Sequence, residues 1–204
     1  MQNISRLVPY IVAMVVIVVA ANILVQTQVH YFGLQEVLTW GALTYPFAFL
    51  VNDLTNRHLG SAAARKVVLI GFLIAVVLSI YFATPRIAIA SGSAFLIAHF
   101  LDISIFDKLR NNAWWVPPFI STFIGSAVDT VIFFSLAFAP AFAGIDSMFG
   151  FEDGSLGFPA SAFGVAMPLW ASLAIGDMIV KVCVGLFALI PYGGFLRVAS
   201  AKPA

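Results

Sequence analysis

Asp177 and Lys181 stand four residues apart in the stretch GDMIVKVCVG, 176–185, with almost wholly apolar sequence on either side. On a helix, an acid and a base at i, i+4 share one face and can neutralise each other. Each charge held at mid-bilayer costs on the order of 2.5–3.5 kcal/mol, so that face has to point into a bundle or a wet cavity. Two readings are open: a buried ion pair that orients the helix, or a polar site on a substrate or proton path. A buried pair is seldom the cheapest route to stability, and ionisable groups inside a membrane commonly mark such paths, which favours the site. Asp129 is a second deep carboxylate, at the end of a stripe through Ser121, Thr122, Gly125 and Ser126. The small-xxx-small spacings in that stripe predict close helix packing. Packing does not explain Asp129, and Thr130 beside it can satisfy it only in part.

Other polar residues are placed less tellingly. Asn22, Gln26 and His30 recur every four residues on the first apolar run, as helix glue or as ligand contacts. Tyr45-Pro46 interrupts the second run, since Pro46 has no N–H for the carbonyl four residues back. That run closes with Asn52-Asp53 and Asn56-Arg57-His58, and the fourth with His99, Asp102, Asp107, Lys108 and Arg110, where charges near the cytoplasmic interface are cheap. Ser91-Gly92-Ser93 with His99 lacks the frame of a nucleophile elbow. The histidines at 30, 58 and 99 show no zinc spacing, no phosphate loop is present, and no cofactor or metal is expected. Cys183, the single cysteine, reads as a small buried hydrophobe.

The elements that hold these groups follow from composition. The chain has 204 residues, 62% hydrophobic and 9% charged, against about 25% charged in a soluble domain. Its solvent is therefore largely lipid. The expectation is an all-α membrane protein, a single domain over 1–204, with six spans at about 7–25, 37–54, 67–84, 86–104, 116–140 and 161–190. The first span is long for a signal peptide and reads as a retained helix. Thr84-Pro85-Arg86 predicts a tight hairpin between the third and fourth spans. Arg6, Arg57, Arg65, Lys66, Lys108, Arg110, Arg197 and Lys202 collect on one side and Arg86 alone on the other, which puts both termini in the cytoplasm. A net charge of +1 argues against a nucleic-acid partner. Homodimer formation is left open.

Beyond this inventory, Thr44-Tyr45-Pro46-Phe47, then Asp53-Leu54-Thr55-Asn56 with Gly60, then Ala64-Arg65-Lys66-Val67-Val68, resembles the second-helix signature of the queuosine precursor transporter family. Asn22 with Phe32-Gly33 is similar to its first helix and outer turn, and His99-Phe100-Leu101-Asp102 followed by Phe106 to Arg110 to its fourth helix and basic loop. Ser121-Thr122 through Asp129 to Phe133 resembles its fifth helix, and Lys181 the lysine of its sixth. Arg57-His58 stands where many members have an acid and an aromatic, so no role of that acid carries over.

The resemblance implies a six-helix carrier in a bacterial inner membrane. It would take up 7-cyano-7-deazaguanine or its aminomethyl relative for tRNA modification. The inventory suits such a flat, guanine-like base: a carboxylate, Asp177 or Asp129, can accept from its adjacent N–H donors. Asn22 and Gln26 can serve its acceptors, Tyr45 and the phenylalanines offer stacking faces, and Lys181 keeps Asp177 ionised. Asp53 and Asn56 complete the expected substrate-binding set. The alternatives are a substrate-binding subunit of a multi-subunit vitamin importer, an intramembrane enzyme using Asp129, Asp177 or His99, and a structural scaffold. The Ala-xxx-Ala spacing through which such subunits dock is missing among Ala13, Ala20 and Ala21.

Overall fold

The computed structural model describes residues 4–24, 29, 31, 40–162 and 165–200. Helix α1 spans Ile4–Leu24, α2 Trp40–Thr44, α3 Pro46–Leu59, α4 Ser61–Phe82, α5 Pro85–Leu109 and α6 Val116–Phe138. A 3-10 turn at Pro140–Phe142 and a short helix α7, Gly144–Met148, lead to strands β1, Pro159–Ala162, and β2, Val165–Pro168, and then to α8, Leu169–Ser200. Gln26, His30 and Phe32-Gly33 lie outside the described residues.

Among the described residues, five helices are long and apolar enough to cross a bilayer: Ser5–Leu24, Ser61–Phe82, Pro85–Leu109, Val116–Phe138 and Leu169–Arg197. The remaining expected span is split at Tyr45 into α2 and α3, at the proline the sequence singles out. It runs to Leu59, past the expected end at 54. The last span also needs correction. Residues 161–162 and 165–168 belong to the antiparallel β1–β2 ribbon, with Pro159 opposite Pro168 and Ala162 opposite Val165, and the helix starts only at Leu169. Pro159 and Pro168, facing each other at the open end of the ribbon, suit paired edge strands better than a helix interior.

Helix α3 is the hub. It packs against α1, α4, α5, α6 and α8, and Asn52, Asp53, Thr55 and Asn56 on it are buried. Surrounded by protein, it needs no apolar coat, which is why its composition falls short of a lipid-facing span. The outer helices carry that coat. Val8, Val12 and Val16 on α1 and Leu69, Leu73 and Val77 on α4 recur every four residues and are exposed.

Local signals account for the joints. Gly60, at φ +86°, turns α3 into α4, and its N–H reaches the Asn56 carbonyl; a left-handed residue past a helix end favours glycine. Thr84 accepts a hydrogen bond from the Ile87 N–H and Pro85 opens α5, so α4 and α5 form the tight hairpin the sequence predicts. At Gly125 a Cβ would lie 2.8 Å from a Phe49 ring carbon and 3.3 Å from the Ala98 carbonyl. The small-residue stripe thus brings α6 against α3 and α5 at that point.

Candidate functional site

The polar residues of α3, α5, α6 and α8 gather into three layers. In the first, the Lys181 ammonium lies 2.7 Å from Asp129 Oδ2 and also pairs with Asp177 Oδ2. Lys181 donates to Thr130 Oγ1 at 3.0 Å, and that hydroxyl donates to Asp177 Oδ2 at 2.7 Å. Tyr45, at the break between α2 and α3, donates its hydroxyl to Asp129 Oδ1 at 3.0 Å, and its ring centroid lies 5.4 Å from the ammonium. Two carboxylates thus share one cation. Lys181 and Asp129 are almost fully enclosed, while the Asp177 side chain keeps 14% exposure. Among the described residues no donor reaches Asp177 Oδ1, so the open edge of the cluster is a hydrogen-bond acceptor.

The second layer lies about two turns nearer the α3–α4 joint. Asp53 accepts from Ser121 Oγ at 3.3 Å and Thr122 Oγ1 at 3.0 Å. Asp102 accepts from the Asn52 amide, which also reaches the His99 carbonyl at 3.4 Å. His99 is wholly buried, stacked on Phe49 at 4.3 Å and tilted against Phe95 at 4.4 Å, and among the described residues neither ring nitrogen has a partner. The sequence treats His99 and Asp102 as ordinary charges near an interface. The structure overturns that, since both are fully enclosed between α3 and α5. It also corrects the stripe on α6: Gly125 serves packing, but Ser121 and Thr122 hold a carboxyl group.

The third layer closes the bundle end that carries the basic residues. Arg57 donates to the Tyr192 hydroxyl at 3.0 Å and to the Arg110 carbonyl at 2.9 Å. Arg110 in turn donates to Asn56 and to Asp107 Oδ1. Both guanidinium groups lie over the Phe106 ring, at 5.1 and 5.7 Å from its centroid. His58 meets the Tyr10 hydroxyl at 2.7 Å. Arg57-His58, the departure noted in the sequence, thus helps build this clasp.

The opposite end has a clasp that sequence reasoning missed. Arg86, read as a lone loop charge, is 1% exposed and pairs with Asp146 at 2.7 Å. It also donates to the Leu136 and Ala139 carbonyls and to Ser155. Its signal was its solitude, a single base facing a loop that holds Asp146, Glu152 and Asp153. In that loop, side-chain and backbone hydrogen bonds from Ser155 hold the Asp153 carboxyl below the ordinary range.

Of the expected site residues, Asp129, Asp177, Lys181 and Tyr45 meet in one cluster, whereas Asp53 and Asn56 belong to the layers beyond it. Asn22 donates to the Val18 carbonyl of its own helix, and α1 packs on α2, α3 and α4. Cys183 is exposed on α8 and is not the buried hydrophobe expected. The side chains of the first layer fill most of the space between them. Beside them a cleft between α6 and α8, with Thr122, Ser126, Lys181 and Gly185 in its wall, opens about 20 Å³ to water, room for about one molecule. A planar base therefore needs the helices to part. Among the described residues no group of His, Cys, Asp and Glu is arranged to hold a metal ion.

Comparison with known proteins gives a consistent set of relatives. A family model described as "Putative vitamin uptake transporter" matches residues 39–84 and 79–194. A Haemophilus influenzae protein named "Probable queuosine precursor transporter" is 32% identical over 186 residues, covering 80% of this chain and 71% of the relative. The Escherichia coli "Queuosine precursor transporter" is 32% identical over 143 residues, and a Bacillus subtilis protein named "Probable queuosine precursor transporter" 28% over 148. These two matches take in 64% of each relative's length, so the chain spans less than two thirds of either. No solved structure matches the chain.

Proposed function

The chain belongs to the queuosine precursor transporter family of vitamin-uptake membrane proteins, and from that premise we propose that it imports 7-deazaguanine precursors of queuosine across a bacterial inner membrane. In this reading α2–α3 completes a set of six crossings, with both termini in the cytoplasm. The first polar layer is the substrate site: Asp177, Asp129, Lys181 and Tyr45, with Asn22 and Gln26 from the first span. Asp53 and Asn56 line the way from it to the cytoplasm. The chain is a carrier in this account, and the bases it moves leave unchanged.

The observation that carries the proposal is one cation shared by two carboxylates, with an unused acceptor on Asp177. The triad has one negative charge in excess, so one carboxylate can leave Lys181 without stranding it. An arriving base offers two adjacent N–H donors to Asp177, a charge-assisted pairing stronger than one between neutral groups. Lys181 keeps Asp129 and turns a freed donor toward the ligand carbonyl. Tyr45, at the helix break, supplies a ring face for stacking, and discontinuous helices of this kind commonly border carrier sites.

The test is expression in a bacterium that cannot make the precursor, supplied with 7-cyano-7-deazaguanine at low concentration, with queuosine scored in its tRNA. The proposal expects queuosine to be restored by the wild type and lost with Asp177→Asn and Asp129→Asn. No rescue by the wild type, or full rescue by both variants, would contradict it.

A further inference from the structure

The second layer holds a pair of acids that the substrate site does not use. Asp53 and Asp102 are both buried, at 2% and 0% exposure, and both meet α6 within one turn, Asp53 through Ser121 and Thr122 and Asp102 through its Cβ, 3.4 Å from where a Cβ on Gly125 would lie. An ionised carboxylate is acceptor-only, so two of them enclosed side by side gain a hydrogen bond to each other only by holding a proton. The remaining partners do not replace it. Asp53 takes neutral hydroxyl donors on both oxygens, from Ser121 and Thr122, and Asp102 Oδ2 takes the neutral Asn52 amide. No donor among the described residues reaches Asp102 Oδ1, which is buried. Among the described residues no Lys or Arg forms an ion pair with either acid. Two bare like charges in a dry interior repel strongly. Asp129 and Asp177, by contrast, share Lys181.

The surroundings favour one mobile proton. From α5, one turn from Asp102, His99 presents two buried ring nitrogens that have no partner among the described residues. Its ring lies 6.4 Å from that of Tyr45, whose hydroxyl binds Asp129, so it bridges the first layer and the second. From α8 come Lys181, held by the first layer, and Tyr192, held by Arg57. From α3 itself Arg57 stands one turn beyond Asp53, with Nη2 buried and without a partner among the described residues. Helix α6 faces the pair with Ser121, Thr122 and Gly125, and α1 and α4 meet α3 with apolar side chains such as Met14, Val18, Val67 and Val68, apart from the Tyr10 hydroxyl at His58.

We propose that the Asp53–Asp102 pair binds one exchangeable proton and is the site that couples transport to a proton gradient. The inference rests on the reading of the chain as a carrier. One proton from the outer side converts the pair from two carboxylates to one carboxylate and one carboxylic acid. That proton bridges Asp53 and Asp102 Oδ1. It leaves to the cytoplasm when the Arg57–Tyr192–Arg110 clasp opens, and Arg57, freed from Tyr192, then offsets the charge left behind. Only O–H bonds are made and broken.

Two measurements test this on the full chain. Infrared spectroscopy of the purified protein in lipid discs needs no substrate. The wild type should show a protonated-carboxyl band at neutral pH that shifts in D2O, is lost in Asp53→Asn and Asp102→Asn, and persists in Asp177→Asn. A wild type without the band overturns the proposal. In proteoliposomes with labelled 7-cyano-7-deazaguanine, an inside-alkaline gradient should drive accumulation severalfold above the medium. Asp102→Asn should still exchange labelled for unlabelled base but accumulate none. Accumulation that ignores the pH gradient, or follows a sodium gradient instead, overturns the proton site and leaves the carrier reading standing. A wild type that neither binds nor exchanges the base overturns the carrier reading first, and the coupling with it.

Discussion

Helix α3 has two unlike sides. Toward α1 and α4 it offers Ala48 and Val51, which meet Met14, Val18, Ala64, Val67 and Val68 in an apolar seam. Toward α5, α6 and α8 it offers Asn52, Asp53 and Asn56, which meet other polar side chains at every level. Lipid tails are as apolar as Val, so the first seam is held by close packing and not by exclusion of water. The second seam is not explained by stability, because a buried hydrogen-bonded pair seldom improves on apolar groups of the same shape. The fold is kept by one side of α3, and on our account the other side does the transport.

Substitutions can break or sharpen that contrast. The largest effect is expected from Lys181→Ala, which strands two buried carboxylates. Breaking a buried pair costs about 3–5 kcal/mol, so a steep fall in thermal stability should accompany loss of uptake. Adding Asp129→Asn and Asp177→Asn should restore most of the stability and none of the uptake. Recovery of uptake as well would mean that the cluster is structural. Next comes Met14→Ala in the apolar seam, expected to cost about 2–5 kcal/mol through the cavity it leaves. Ligand affinity, measured well below the melting point, should stay within a factor of two. Gly125→Ala, at the contact between the two sides, forces a Cβ against Phe49 and the Ala98 carbonyl. Overpacking of that kind costs about 1–3 kcal/mol, and both melting temperature and affinity should fall. Val12→Ala, on the outer face, should change stability by about 0.5 kcal/mol or less.

The sequence carried the clustering of deep charges better than it carried the boundaries. Asp177 and Lys181 are legible together because helical spacing alone sets them on one face. Asp129 is legible because nothing apolar explains a carboxylate there. The break at Tyr45-Pro46 follows from the missing N–H of proline. What could not be read depends on which helices touch. His99 and Asp102 look like interfacial charges until α3 is known to cover them, and Ser121 and Thr122 look like packing residues until Asp53 is seen between them. Arg86 gives no local sign that α7 folds back to supply Asp146. Cys183 is misread because a hydrophobic run on a membrane helix does not say which face meets lipid and which meets protein. The β1–β2 ribbon hides in the same way, since four-residue apolar strands joined to an apolar helix look like one long span.

The most direct check on the substrate site is the affinity of the purified protein for labelled 7-cyano-7-deazaguanine, wild type against Asp177→Asn at equal melting temperature. A hydrogen bond to a charged group contributes about 1.5–3 kcal/mol, so the variant should bind roughly ten- to a hundredfold more weakly. Equal affinity in the two proteins would contradict the account.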